Sequence, residues 1–193
     1  TSSIKISIFV EKDAQLNHIA TTSESAKTQF SQHRYYVAER GQVTHIDTNK
    51  AAYQGERSIQ TYLEGAFSKA EHYHLSVLSS KAKYDLQSVV THSAPNTTSG
   101  IFARAVLDDQ SHMIYRGMIN VEDGARDSIS NQKEATLMLS PTAKIDAIPM
   151  LNIINDQVQC SHSASMSNFD PEKLFYMATR GLTPLETKQM LIR

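Results

Sequence analysis

The sequence predicts a strand-rich body that ends in a short helical segment. Apolar and polar residues alternate with period two over many short stretches, the pattern of a strand with one face buried. β-Branched and aromatic residues recur in these stretches, as strands prefer. Similar turn-prone pieces separate them without intervening helices. Stacked turns around a continuous apolar interior would give a β-solenoid. The same strands and turn signals also suit a β-sandwich, and the pattern leaves both open.

Residues 4–8, Ile-Lys-Ile-Ser-Ile, alternate strictly. Residues 15–19 and 42–46 are shorter candidates of similar layout, and further strands are expected at 72–78, 84–90, 101–107, 112–121, 136–139, 144–148 and 151–154. Between them lie Lys12-Asp13-Ala14, Arg40-Gly41, Glu64-Gly65-Ala66-Phe67, Asp123-Gly124-Ala125-Arg126 and Pro141-Thr142-Ala143. Each is a turn-prone or small residue leading into a new strand. Their irregular spacing, roughly 15 to 30 residues, falls where solenoid repeats fall.

The C-terminus changes character. Asp170-Pro171-Glu172 reads as a helix start, with Asp as N-cap, Pro at the first position and an acid in the first turn. Arg180-Gly181 is the matching stop. Thr183-Pro184-Leu185-Glu186 is a capping box that opens a second helix through Leu191. Two such short helices must pack on the body or on a partner. The expected division is a β-body at 1–166 and a helical segment at 167–193.

The 193 residues suffice for one sizeable core, and the net charge of −1 gives no basic excess for binding nucleic acid. No apolar run has the length of a membrane span. The single cysteine rules out an internal disulfide framework and fits a reducing compartment, so a cytoplasmic location is expected. A chain that begins at Thr1 rather than Met is expected of a processed form or a fragment.

That cysteine, Cys160, stands two residues before His162. On a strand the thiol and the imidazole share one face. Together they suit iron or zinc, but two ligands do not complete a centre. Either a partner completes the site or the pair is structural. His72 and His74 also share a face, but no Cys or acid cluster at fixed spacing accompanies them. Residues 92–99 read as a polar turn without a nucleophile elbow. There is no Gly-rich phosphate loop, so ATP chemistry would belong to a partner. Asp13, Asp109, Asp123 and Asp156 sit singly near turns, like a solvated rim.

Tyr115-Arg116-Gly117, the turn at Gly124-Ala125 and Gln132 resemble the SufB/SufD family of iron–sulfur cluster assembly proteins. So do Cys160-Ser161-His162-Ser163-Ala164, Leu174-Phe175-Tyr176-Met177 and Arg180-Gly181. The resemblance runs from about Tyr62 to the C-terminus. It implies a right-handed parallel β-helix with a C-terminal helical hairpin, which favours the solenoid. Full-length members carry a further N-terminal helical region. The chain resembles the SufD branch, because Ser161 and Ser163 flank His162 where SufB has acids. Ala143 also occupies the place of the functional SufB cysteine. Ser163 stands where Gly is usual, and its side chain restricts the backbone there.

The resemblance implies a non-catalytic subunit that pairs with a SufB-like subunit through the β-helix. It implies that a SufC-like ATPase binds the C-terminal helices, at Leu174, Phe175, Tyr176, Arg180 and Gly181. By that resemblance His162 and Cys160 would be the cluster-assembly, interface and metal residues. The iron–sulfur cluster would be transient at the SufB interface and not held by this chain alone. Two other readings are a carbohydrate-active enzyme on a β-helix, which needs paired carboxylates in a groove, and a homo-oligomeric structural protein. Exposed sheet edges make a homodimer in isolation plausible. Arg116 is expected in a buried or interface ion pair.

Overall fold

All the expected strand segments lie in strands of a computed structural model, to within one residue at their ends. It describes residues 2–22, 28–51, 54–168, 171–183, 186–187 and 190. Its elements are β1 (Ser2–Val10), β2 (Gln15–Thr22), β3 (Thr28–Val37), β4 (Gln42–Ala51), β5 (Gln54–Leu63), β6 (Lys69–Leu78), β7 (Lys83–His92), β8 (Thr98–Leu107), β9 (His112–Val121), β10 (Ile129–Met138), β11 (Lys144–Ile153), β12 (Gln159–Asn168) and α1 (Pro171–Thr179). The segments 144–148 and 151–154 belong to one strand, which carries Pro149 within it. The segment 136–139 is the end of a longer strand that begins at Ile129.

Odd-numbered strands form one sheet, in the order β1-β3-β5-β7-β9-β11, and even-numbered strands form the other, β12-β10-β8-β6-β4-β2. All recorded pairings are parallel. Successive strands therefore alternate between two sheets while the chain advances along the stack. That is a parallel β-helix; a sandwich would pair its strands antiparallel. One coil takes 26 residues from Thr28 to Gln54 and 32 from His112 to Lys144.

The corners explain the recurring turn units. Asp13, Arg40, Phe67, Asn96 and Asp127 all have positive φ, between 56 and 62°. Such backbone is unfavourable for side chains other than Gly. Here each residue donates its N–H to a carbonyl of the next coil: Asp13 to Glu39, Arg40 to Ala66, Phe67 to Pro95, Asn96 to Arg126 and Asp127 to Gln157, at 2.8–3.2 Å. A column of stacked corners thus holds the conformation. After Arg40, Phe67, Asn96 and Asp127 the next residue turns inward, and the space admits only small side chains: Gly41, Ser68, Thr97 and Ser128 are buried.

Gly65 lies where the corner of one coil rests on the next. A Cβ there would meet the backbone nitrogen of Glu39 at 1.9 Å and the carbonyl carbon of Ala38 at 2.3 Å. Both are main-chain atoms and cannot swing aside. Gly65→Ala should destabilise the protein by about 2 kcal/mol through overpacking, read as a lowered urea midpoint. An unchanged midpoint would show that the corner has slack.

The core sits between the sheets and changes along the axis. On β7, β8 and β9 it is largely apolar, with Leu86, Val90, Ile101, Leu107 and Ile119 fully buried, before β10 turns Ser130, Gln132, Glu134 and Thr136 inward. Toward the N-terminal coils the inward positions are largely polar: Ser31, His33, His45, Asp47, Asn49, Arg57, His72 and His74 are all buried. Asp47 and Arg57 form an ion pair across this interior. The turn at 92–99 is polar as expected. His92 is buried and bonds Thr97 at 2.6 Å and Ser99 at 2.8 Å.

α1 ends in a Schellman motif. Gly181 has φ +84°, its N–H reaches the Ala178 carbonyl at 3.0 Å, and the Leu182 N–H reaches Met177 at 3.2 Å. The capping box is formed: the Thr183 N–H donates to Glu186 Oε2 at 2.8 Å and the Glu186 N–H donates to Thr183 Oγ1 at 3.2 Å. The Thr183 hydroxyl, which donates to Glu186 Oε2 at 2.7 Å, and then the Thr183 N–H hold the Glu186 carboxyl below its ordinary pKa. Thr187 and Met190 continue as helix. The proposed N-cap Asp170, and Pro184, Leu185 and Leu191 of the second helix, lie outside the described residues.

Candidate functional site at the C-terminal end of the solenoid

β11 and β12 are the last strands of their sheets, so the solenoid presents two strand edges at one end among the described residues. β12 pairs with β10 in register: Cys160 opposite Ser130, His162 opposite Gln132, Ala164 opposite Glu134. Ser130, Gln132 and Glu134 are buried. Their partners continue the inward face by one strand spacing, about 4.8 Å. Cys160 and His162 thus share the inward face of β12, as the strand period requires. Cys160 is half-buried and packs on the apolar core, whereas His162 is exposed.

Burial pushes the Cys160 thiol above its ordinary pKa, and a hydrogen bond with the Ser130 main chain opposes that shift. The thiol is therefore held protonated rather than activated by its neighbour. A metal would have to displace that proton. One thiol and one imidazole are an incomplete donor set, so further ligands would have to come from beyond this chain's site.

The layer beneath is polar and unsatisfied, which the sequence did not reveal. Both side-chain polar atoms of Gln132, Glu134 Oε2 and the Tyr115 hydroxyl are buried without a hydrogen-bond partner. Burial holds the Glu134 carboxyl above its ordinary pKa, against a hydrogen bond from Thr136. The motif residues meet here. A Cβ on Gly117 would lie 2.1 Å from Gln132 Nε2 and 2.7 Å from the Tyr115 hydroxyl oxygen. Gly117 is the place where the two sheets approach through Tyr115 and Gln132. Arg116, on the outer face, pairs with Asp85 and is half-buried. Ala125 is fully buried in its corner.

The family profile described as SUF system FeS cluster assembly, SufBD core domain, matches residues 1–193. The chain belongs to the SufBD family. It is 26% identical over 194 residues to the iron–sulfur cluster assembly SufBD family protein slr0076 of Synechocystis, covering 96% of this chain and 41% of that protein. It is 27% identical over 189 residues to the SufBD family protein SAUSA300_0822 of Staphylococcus aureus, covering 97% and 40%. The chain spans about two fifths of the length of these relatives. Iron–sulfur cluster assembly and a β-helix are thus features of its family and its fold.

The helical residues expected to bind a partner are partly placed. Phe175 and Tyr176 are exposed on α1. Arg180 lies over the Tyr176 ring, 5.2 Å from its centroid, and donates to the Tyr176 hydroxyl at 3.0 Å. The Leu174 side chain lies outside the described residues. No described helix is long and apolar enough to cross a membrane.

Proposed function

We propose that this chain is the SufD-type, non-catalytic subunit of a cytoplasmic iron–sulfur assembly scaffold. Its proposed division is a β-helix domain at 1–166 and a C-terminal segment at 167–193, with β12 running two residues past that boundary to Asn168. The observation that carries the reading is the end of the solenoid that β11 and β12 form among the described residues, where exposed His162 and half-buried Cys160 share the inward face of a terminal strand. A SufB-like subunit adding its strands to β11 and β12 would satisfy both edges by β-augmentation. It would also close the inward face over His162. The nascent iron–sulfur cluster is the cargo at that interface. One imidazole nitrogen of His162 serves as a ligand, and the partner supplies the remaining ligands. The raised thiol pKa makes Cys160 the weaker ligand of the two.

The role is non-enzymatic. The buried acids Asp47 and Glu134 sit inside the solenoid rather than paired in an open groove, which disfavours glycoside chemistry. A SufC-like ATPase docks on α1, with Phe175 and Tyr176 as its apolar contacts and the Arg180–Gly181 cap fixing the end of the helix.

The test uses the full-length protein in cells that depend on it for anaerobic cluster assembly, with complex formation read by co-purification. His162→Ala should abolish assembly while the complex stays intact. Normal assembly in both His162→Ala and Cys160→Ala would overturn the ligand role. Phe175→Asp should remove the ATPase from the purified complex and leave the β-body's unfolding transition unchanged. Undiminished ATPase binding would overturn the docking surface.

A further inference from the structure

At the opposite end of the solenoid the strand register stacks three histidines in one column. His18 of β2 pairs with His45 of β4, and His45 pairs with His72 of β6. His33 projects inward from β3 of the facing sheet, and its ring is parallel to that of His18 at a centroid distance of 5.1 Å. One ring nitrogen each from His18, His33 and His45 lie within 4.8 Å of one another.

The hydrogen bonding of these rings separates them from His72 and His92, although His74 Nδ1 is likewise buried without a hydrogen-bond partner. His72 is satisfied at both nitrogens, by Thr61 and by Ser88, each at 2.8 Å. His45 Nε2 and His33 Nδ1 are buried without any partner, and these residues are 0% and 4% exposed. A buried, unpaired ring nitrogen carries a desolvation cost that a native interior seldom leaves uncompensated.

Tyr35 supplies the orienting bond. Its hydroxyl oxygen lies 2.6 Å from His18 Nδ1 and 2.7 Å from His45 Nδ1. The hydroxyl can donate its O–H to one Nδ1 and accept an Nδ1–H from the other. The ring that donates has Nε2 as a bare acceptor, and rotation of the hydroxyl exchanges the two roles. A second-sphere group that orients a ring in this way is the usual support for a metal-bound histidine. Burial also keeps His33 and His45 neutral, the form that ligates. His18 is only half-buried, which gives an entry path.

We propose that His18, His33 and His45 form a binding site for a divalent transition-metal ion of borderline softness, such as zinc or ferrous iron. Three neutral imidazoles suit these ions, with a water in the open position. Zinc–nitrogen bonds of about 2.0–2.1 Å require the rings to draw together by tenths of an ångström to about 1 Å. The site stands at the other end of the molecule from Cys160 and His162 and is independent of their role.

The test is anaerobic titration of chelator-stripped full-length protein with Co²⁺ alone, read by visible d–d absorption, and with Zn²⁺ in competition. Wild type and a Cys160→Ala/His162→Ala double variant should bind alike, which separates this site from the assembly interface. His18→Ala, at a half-exposed position, should lose the Co²⁺ spectrum while its far-UV circular dichroism is unchanged. Tyr35→Phe should weaken binding by about 10- to 100-fold. Wild-type affinity in folded His18→Ala would overturn the proposal. So would loss of binding in the double variant, or folded wild-type protein without Co²⁺ bands.

Discussion

Asp47→Ala should cost about 3–5 kcal/mol of stability, the range for removing one partner of a buried ion pair. Asp47 reaches inward from β4 and Arg57 from β5 of the facing sheet, and both side chains are almost wholly buried. The guanidinium also donates to Ser31 Oγ and Thr22 Oγ1, each at 2.7 Å. These hydroxyls satisfy its N–H groups but carry no charge. Without the Asp47 carboxylate, a full positive charge would remain in the interior among His33 and His74. For a chain of this size the loss corresponds to a melting temperature lower by roughly 10 °C. The double replacement Asp47→Leu/Arg57→Met should recover most of it, because the cost lies in the unpaired charge rather than in the missing bond. Urea unfolding of the three variants decides the matter. A loss under about 1 kcal/mol for Asp47→Ala would mean that water reaches Arg57.

The same pair explains which parts of the fold were legible in the sequence. Strands with apolar inward residues announced themselves: β9 places Met113, Tyr115, Ile119 and Val121 inside and was readable from end to end. β3 and β5 did not, because Ser31, His33, Arg57 and Thr61 occupy their inward positions. A period-two reading recognises a buried face by its hydrophobicity, and here polar residues interrupt the face that also carries Tyr35, Val37, Ile59 and Leu63. The corners were legible as small and turn-prone residues. Their left-handed backbone at Arg40 and Phe67 was not, because stacked hydrogen bonds rather than residue type stabilise it. The Cys160–His162 face followed from strand parity. Its polar floor of Tyr115, Gln132 and Glu134 required knowing which coil lies beneath which. The histidine column left one usable trace, since His18, His45 and His72 recur at a constant interval of one coil.

Acid should unfold this protein well before its carboxylates are protonated. Burial holds His33 and His92 down to about 4 and His74 down to about 3. The Arg57 charge adds to the shift at His33 and His74. His45 and His72 are lowered as well, by burial and by neighbouring histidines. The unfolded chain protonates each near its ordinary value of 6.5. Between 6.5 and the folded value the unfolded state binds the extra proton. Stability is therefore full above that window and falls as the pH drops through it, by about 1.4 kcal/mol per pH unit for each histidine. Over the window to about 4, His33 and His92 would each remove about 3 kcal/mol. Glu134 acts with the opposite sign. Its raised value means that the folded state takes up a proton first, so it stabilises as the pH falls, but it is one group against six lowered histidines. Urea midpoints should therefore drop steeply between about pH 6.5 and pH 5. His92→Gln should flatten that slope by about 1.4 kcal/mol per pH unit, and it leaves the Asp47–Arg57 pair untouched. A wild-type midpoint that stays flat to pH 5 would mean that the buried imidazoles take up protons in the folded state. The interior polarity of the N-terminal coils would then be hydrated rather than dry.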